Sequence, residues 1–358
     1  MKEILKIAGA FIGFVMGAGF ASGQELIQFY VSFGTWGLIG TLLSSVVFIV
    51  MGMTLASYGS HLKADSHKQV VQEICGKWLG KPIDLLMTFS MFAAAVVMIA
   101  GSGALLQQQF ELPATFGSLM VTALVIFVTW LKPERVIGLI SAITPLLIVV
   151  TVLIGGYAIV TKGTDYATLA PLAEQLPRAS QHWLLAALLY VSYNIFACVA
   201  ILAISGGAIH SPKTAALGGL LGGLTLGGLM LLMSMALLSH VEVIAEASMP
   251  MLALAQSFSP NLALGLSIVM FLMIFNTAVG ALYSFSSRMF TADTQGFRIA
   301  TLVFGLLAYM ASLYGFIELV GLVYPSFGYI GFVLMIAIAW AGLKQRKVAL
   351  TCAAATIK

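Results

Sequence analysis

The fold of this chain is decided within its first apolar segment by Gly13-Phe14-Val15-Met16-Gly17-Ala18-Gly19-Phe20-Ala21-Ser22-Gly23-Gln24-Glu25. Four glycines in eleven positions weaken a helix, because each costs about 1 kcal/mol relative to alanine in a helix interior. A membrane helix tolerates freed backbone groups only where they face a cavity, a ligand or other protein segments. A small-residue face for helix packing would explain the glycines, but not the polar residues that follow them. The stretch predicts a broken, ligand-lining helix.

The composition is that of a polytopic membrane protein. Of the 358 residues, 60% are hydrophobic and 8% are charged, and apolar runs of about 20 residues recur throughout. The net charge of +4 does not indicate nucleic-acid binding, because the basic residues are confined to loops. Three distant cysteines (Cys75, Cys198 and Cys352) predict free thiols, and the five scattered histidines do not predict a metal site.

Ten spans are predicted from the apolar runs. Their approximate ranges are 5–31, 36–60, 82–107, 114–131, 136–160, 182–205, 213–238, 260–288, 298–313 and 316–341. The weakly amphipathic segment His61–Pro82 is predicted to lie along the membrane surface. The segment His240–Phe258 is predicted to be a second non-spanning element, a short helix folded over the opposite face.

The positive charges orient the chain with both termini in the cytoplasm, in the cell (inner) membrane. With the N-terminus inside, fifteen of the Lys and Arg residues are cytoplasmic, and Lys162 and Arg178 alone are outside. A competing hypothesis makes the N-terminus a signal peptide cleaved near Gly19-Phe20-Ala21. The apolar run resumes after that point, however, and cleavage would leave nine spans.

The two halves of the chain resemble each other in order. Spans one and six carry polar interruptions, spans two and seven are rich in glycine near their starts, and spans five and ten contain Pro145 and Pro325. Five spans in each half make the halves inverted relative to each other. The predicted organisation is a first repeat (1–160), an extracellular linker (161–181), a second repeat (182–343) and a cytoplasmic tail (344–358).

This pattern, with Gly17-Ala18-Gly19-Phe20 in the first span, resembles the amino acid–polyamine–organocation superfamily with the LeuT-like fold. Within it, the stretch from Gly17 to Glu25 is most similar to the YkvI-type amino acid permeases. The resemblance implies an all-α protein of ten helices with the first and sixth broken. It also implies a substrate site between those two helices and the third and eighth.

The site residues follow from that position. A half-helix starting after Gly17 would offer backbone N–H groups to a substrate carboxylate, and polar groups of the sixth span face it. A packed tyrosine with a satisfied hydroxyl is the alternative for Tyr193, and close packing is the alternative for Ser102. The predicted substrate-binding residues are Gly17, Ala18, Gly19, Ala21, Ser22, Ser192, Tyr193, Asn194 and Ser102.

Coupling to a cation is also implied by the resemblance. Sodium-coupled relatives bind Na⁺ with a hydroxyl pair in the eighth span and carbonyls of the first, which here correspond to Asn276-Thr277 and to Gly13 and Met16. The asparagine departs from that pattern. Proton-coupled relatives place a lysine in the fifth span, and this chain has none there. Na⁺ is therefore slightly favoured over H⁺, and no other cofactor is expected.

Glu25 and Glu318 are the acids predicted within spans, and such residues are functional candidates. If both border one outer vestibule, closing it would take up a proton or a cation. The alternative is two separate, solvated acids.

Three classes of function were weighed. The leading one is secondary active transport of a small zwitterion, an amino acid above all, by alternating access in the lipid bilayer. A membrane sensor that binds a small molecule without transporting it is the second. An enzyme is disfavoured, because the sequence contains no catalytic cluster and no phosphate-binding loop. A homo-oligomer is compatible with the sequence.

Overall fold

A computed structural model describes residues 1–64, 66–131, 143–162, 165–292 and 294–356. Within these ranges the regular structure is helical and contains no β-strand. The prediction of an all-α membrane protein is confirmed, since seven of the described helices are long and apolar enough to cross a membrane. The first part of the predicted fifth span lies outside the described residues, so that the count of ten spans stays a prediction.

The helices are numbered here in chain order over the described residues. They are α1 (Lys2–Val15), α2 (Ala18–Ser22), α3 (Gln24–Phe29), α4 (Gly34–Leu62), α5 (His67–Phe110), α6 (Ala114–Trp130), α7 (Ile143–Lys162), α8 (Tyr166–Ala173), α9 (Trp183–Gly207), α10 (Pro212–Ser239), α11 (Val241–Ile244), α12 (Pro250–Phe258), α13 (Pro260–Met289), α14 (Gln295–Ser312) and α15 (Phe316–Thr356). A 3₁₀ turn, Val31–Phe33, joins α3 to α4.

The first span is broken, as the sequence predicted, but at two places. Met16 and Gly17 leave the helical conformation between α1 and α2. Gly23 then adopts a left-handed conformation (φ 81°) between α2 and α3, which glycine reaches without steric cost. Ile7 and Phe11 of α1 are fully buried, so that the segment before the break forms part of the folded core.

The sixth span is continuous, and the expectation of a break there is wrong. α9 runs from Trp183 to Gly207 without interruption. Its sequence has no glycine or proline before position 206, and these are the residues that usually break membrane helices. Its polar side chains bond to backbone carbonyls instead: Asn194 Nδ2 donates to Tyr190 O (3.0 Å) and Ser192 Oγ donates to Gly328 O (2.7 Å). Polar side chains alone do not open a helix whose hydrogen bonds remain intact.

α1, α4, α9 and α10 pack against one another as one bundle. α4 approaches both neighbours backbone to backbone, because a Cβ on Gly219 would overlap Gly52 and a Cβ on Gly206 would overlap Ala56. The glycine-rich second and seventh spans therefore pack on each other.

α5, α6, α13 and α14 form a second bundle. Each bundle combines helices that are five spans apart in the predicted numbering, as an inverted repeat would. The proposed repeat boundaries at 160 and 182 stay predictions.

The two predicted surface segments are helical. Gly76 kinks α5 (φ 75°) and separates its first turns from the spanning part. The second segment forms the two short helices α11 and α12, in agreement with a non-spanning element.

Candidate functional site

A cavity of about 790 Å³ lies beside the break in the first span. Its walls come from α1, α2 and α3, from α9, and from α5, α7, α13 and α15. The cavity thus lies between the two bundles, where the resemblance implied a substrate site. Met, Phe, Ala and Gly supply most of its lining, which is typical of a small-molecule pocket with few polar groups.

The cavity lining extends toward the face at which α1 begins, called here the N-terminal face. Along α1 its lining reaches back to Gly9, and along α13 it reaches Ser284, close to the end of that helix. On α5 it reaches Ser90, near Asp84, which forms an ion pair with Arg288 of α13 (3.0 Å). A solute could therefore enter from this side.

The opposite face, called here the closed face, is held together by amide contacts. Gln28 Nε2 donates to Ile317 O (2.9 Å), and Gln28 O accepts from Ala179 N (2.9 Å). Gln108 bonds twice to the backbone of Met249, through its Nε2 (3.1 Å) and its Oε1 (2.8 Å). These contacts join α3 to α15 and α5 to the segment before α12 at this face.

An ion pair also lies near this closed face. Lys162 Nζ is 2.8 Å from a carboxylate oxygen of Glu242, and this hydrogen bond lowers the pKa of Glu242. Burial lowers the pKa of the neighbouring His240. At neutral pH the ion pair therefore links the end of α7 to α11.

Glu25 lies in the cavity wall and not in an outer vestibule. Its side chain is buried (5% exposed) and its carboxylate lies over Gly19, where an added Cβ would overlap it. The hydroxyl of Tyr193 donates a hydrogen bond to this carboxylate. The left-handed turn at Gly23 explains the position, because it interrupts the helix that would otherwise carry Glu25 beyond the break.

Two aromatic rings flank the carboxylate. Tyr193 and Tyr324 stack with ring centroids 4.8 Å apart and planes 5° apart, and both line the cavity. Tyr190 packs edge-on against Tyr193 (5.4 Å). The carboxylate therefore lies among tyrosine rings and hydroxyls.

Four of the predicted substrate-binding residues line the cavity: Gly17, Gly19, Tyr193 and Asn194. Ala21 is buried (3% exposed) away from the lining. Ala18 begins α2, and its side chain is not among those described.

The three predicted serines are engaged elsewhere. Ser22 Oγ donates to Gly19 O, Ser102 Oγ to Ile99 O and Ser192 Oγ to Gly328 O, each at 2.7 Å. All three are fully buried and none lines the cavity. Each hydroxyl satisfies a backbone carbonyl in its own or a neighbouring helix, so that a ligand in the cavity does not meet it.

Three of the four predicted Na⁺ ligands face the cavity: Gly13, Asn276 and Thr277. Met16 is buried and outside the lining. Asn276 Oδ1 is buried without a hydrogen-bond partner among the described residues, and Thr277 Oγ1 donates to Met273 O (2.9 Å), which leaves its lone pairs free. Such oxygens suit a hard cation. No cluster of His, Cys, Asp and Glu with metal-binding geometry occurs in the part of the chain that the structure describes.

Glu318 is not brought to Glu25. It is exposed at the start of α15, and its carboxylate lies beside Gly315 in the preceding turn. Tyr324, which flanks Glu25, is six residues further along the same helix, roughly 9 Å of axial rise. The predicted vestibule shared by the two acids is therefore not observed.

Sequence reasoning missed Tyr324 and the lining face of α5, and on α13 it found only Asn276 and Thr277. On α5 the lining is Ser90, Met91, Ala94 and Met98, whose spacings of three and four residues mark one helix face. The predicted residue Ser102 lies one turn further along. Tyr324 carried no local signal beyond its place before Pro325, because only the tertiary fold brings it to Tyr193.

Comparisons with known proteins agree with this geometry. The chain is similar to MhsT solved in complex with L-phenylalanine (TM-score 0.65, 15% identity, 94% of this chain and 88% of that chain). It is also similar to a Na⁺-coupled sialic acid symporter in a substrate-bound outward-open state (TM-score 0.56, 12% identity, 93% and 78%). The chain is thus an all-helical membrane protein with the LeuT-like fold that the resemblance implied, although its sixth span is unbroken and the count of ten spans stays a prediction.

At the level of sequence, the chain is similar to the membrane protein YkvI of Bacillus subtilis (strain 168). The two are 26% identical over 327 residues, which cover 91% of this chain and 92% of YkvI. No model of a known protein family matches the chain. The resemblance to YkvI that the first span suggested therefore extends over nearly the whole length.

Proposed function

We propose that this protein is a secondary active transporter that moves a small amine-bearing organic solute, an amino acid being the first candidate, by alternating access. The observation that carries the proposal is the cavity at the break in the first span. It lies between two helix bundles, and its lining extends toward the N-terminal face, whereas hydrogen bonds join the helices at the closed face. We infer that it opens to the N-terminal face alone. A site reached from one side at a time is what alternating access requires.

The proposed orientation is that of a cell-membrane protein with both termini in the cytoplasm. The excess of Lys and Arg on the N-terminal side supports it. In this orientation the cavity opens to the cytoplasm.

The proposed coupling cation is Na⁺, with H⁺ as the alternative. The oxygens of Gly13, Asn276 and Thr277 at the cavity wall support Na⁺, and the structure of a Na⁺-coupled symporter of the same fold is consistent with it. Uptake that persists when choline replaces Na⁺, and that follows an imposed pH gradient, would contradict Na⁺ coupling.

Uptake into proteoliposomes tests the transport function. Radiolabelled amino acids would be supplied with an inward Na⁺ gradient, and L-phenylalanine is the first probe because MhsT was solved with it. We expect at least one solute to accumulate above its external concentration. Solutes that bind the purified protein but are never accumulated would favour a sensor.

A substitution at Gly19 tests whether the break forms the solute site. A valine side chain there would overlap the Glu25 carboxylate and enter the cavity. We expect Gly19→Val to abolish solute binding in a protein that still folds. Gly228→Val is the matched control, since a Cβ at Gly228 meets nothing within 4 Å and lies outside the cavity. Equal affinities of the two variants would remove Gly19 from the solute site.

A further inference from the structure

Glu25 is the only charged side chain in the cavity wall among the described residues. Neither Lys, Arg nor His occurs in that lining. A solute carboxylate would therefore meet no protein cation there, whereas a solute ammonium group would meet the Glu25 carboxylate. The charge in the cavity favours a cationic group on the ligand.

The Glu25 carboxylate also occupies the position that was predicted for the carboxylate of the substrate. It lies over Gly19 at the break, next to the backbone that was expected to bind a substrate carboxylate. The helix that begins there, α2, has only five residues, so that its dipole offers little compensation for an anion. A second carboxylate at this point would face Glu25 directly, and like charges in a poorly hydrated site repel each other strongly.

The surroundings of Glu25 suit an amine. Tyr193 orients the carboxylate by a hydrogen bond, and the stacked rings of Tyr193 and Tyr324 provide aromatic surface of the kind that attracts cations. Toward the N-terminal face the wall continues with Met91, Met98 and Met273. These flexible apolar side chains can pack against hydrocarbon groups of different shapes.

We infer that Glu25, flanked by Tyr193 and Tyr324, binds the ammonium group of an organic amine with an apolar body, and that a carboxylate on the ligand is not required for binding. This inference rests on the proposed function in one respect, which is that the bound amine is the solute that is transported. A buried carboxylate without a protein cation needs a compensating charge from elsewhere, and the ammonium group supplies it.

A ligand panel on the purified full-length protein in detergent tests the inference. The probes are 2-phenylethylamine, L-phenylalanine and 3-phenylpropionate, which share a phenyl ring and differ in their charged groups, and a parallel series with an isobutyl body. We expect the amines, with or without a carboxylate, to bind measurably by calorimetry and the carboxylates without an amine not to bind. Carboxylates that bind as tightly as the matching amines, or no amine binding in either series, would overturn the inference.

Two variants assign the preference to Glu25. Glu25→Gln should weaken amine binding by about thirtyfold or more, as removal of one partner of a buried charge pair does. Glu318→Gln, an exposed acid of the same chain, should leave it unchanged. If Glu25→Gln does not fold, the ligand panel still tests the inference, because it compares the binding of amines and of carboxylates to the wild-type protein. Unchanged amine affinity in a folded Glu25→Gln protein, with loss of Na⁺ dependence alone, would make Glu25 a cation ligand and refute the inference.

The proposal of transport and the inference of amine binding can be refuted separately. Amine binding that depends on Glu25, without uptake into proteoliposomes, would refute transport and leave the inference intact. Uptake of solutes without an amino group would refute the inference and leave transport intact.

Discussion

At the scale of single residues, the candidate site depends on the missing side chain at Gly19. The Glu25 carboxylate occupies the space that a Cβ would take there, and Tyr193 donates to it. Neither neighbour follows from local sequence, because residues 19, 25 and 193 meet only after α3 turns at Gly23 and α9 packs against α1. The glycine itself, however, signals that something approaches its backbone.

The hydroxyl of Tyr193 gives a prediction at this scale. Tyr193→Phe keeps the ring stacked on Tyr324 and removes one donor to a buried carboxylate. We expect the folded protein to lose about 1–3 kcal/mol, because a buried polar group left short of a partner retains its desolvation cost. Thermal unfolding in detergent would measure the change. Tyr157→Phe, at a side chain that is 56% exposed, is the control and should change stability little.

At the scale of elements, glycine position was the informative signal and polarity was the misleading one. The glycines around Gly17 correctly predicted the break in the first span, since each weakens a helix interior. Ser192, Tyr193 and Asn194 wrongly predicted a break in the sixth. Ser192 and Asn194 bond to backbone carbonyls and Tyr193 donates to the Glu25 carboxylate, while α9 stays intact. The second break at Gly23 was not predicted, although it fixes where Glu25 lies.

The turn at Gly23 gives the prediction at this scale. Gly23→Ala should destabilise the protein by about 1–2 kcal/mol, because other L-residues pay that cost in the left-handed conformation. The new Cβ would also lie 3.0 Å from Met251 Cγ, so that the Met251 side chain must move by a few tenths of an ångström. Gly228→Ala is the control, and we expect it to be neutral or slightly stabilising in a helix interior. Equal unfolding temperatures for the two variants would contradict this prediction, because they would show that an alanine at position 23 causes no strain in the turn.

At the scale of the whole molecule, hydropathy and charge were enough to predict an all-α membrane protein, whereas the LeuT-like fold was implied by the resemblance to a known superfamily. These signals reflect the membrane and the contacts between helices, and both leave patterns that recur along the sequence. The cavity was predicted only in outline. Its place among α1, α5, α9 and α13 was expected, but most of the hydroxyl groups assigned to the site point elsewhere. Side-chain direction depends on helix rotation, which a single sequence does not reveal.

The central claim is that the solute site is reached from the N-terminal face and not from the closed face. The measurement that tests it most directly is labelling of Ala94→Cys, at a cavity-lining position, by a membrane-impermeant maleimide in proteoliposomes of known orientation, with the native cysteines replaced. In the absence of solute, we predict labelling from the N-terminal face only, and protection when 2-phenylethylamine is added. Gly228→Cys, outside the cavity, should show no such protection. Labelling of Ala94→Cys from the opposite face only, or equal labelling with and without the amine, would contradict the account.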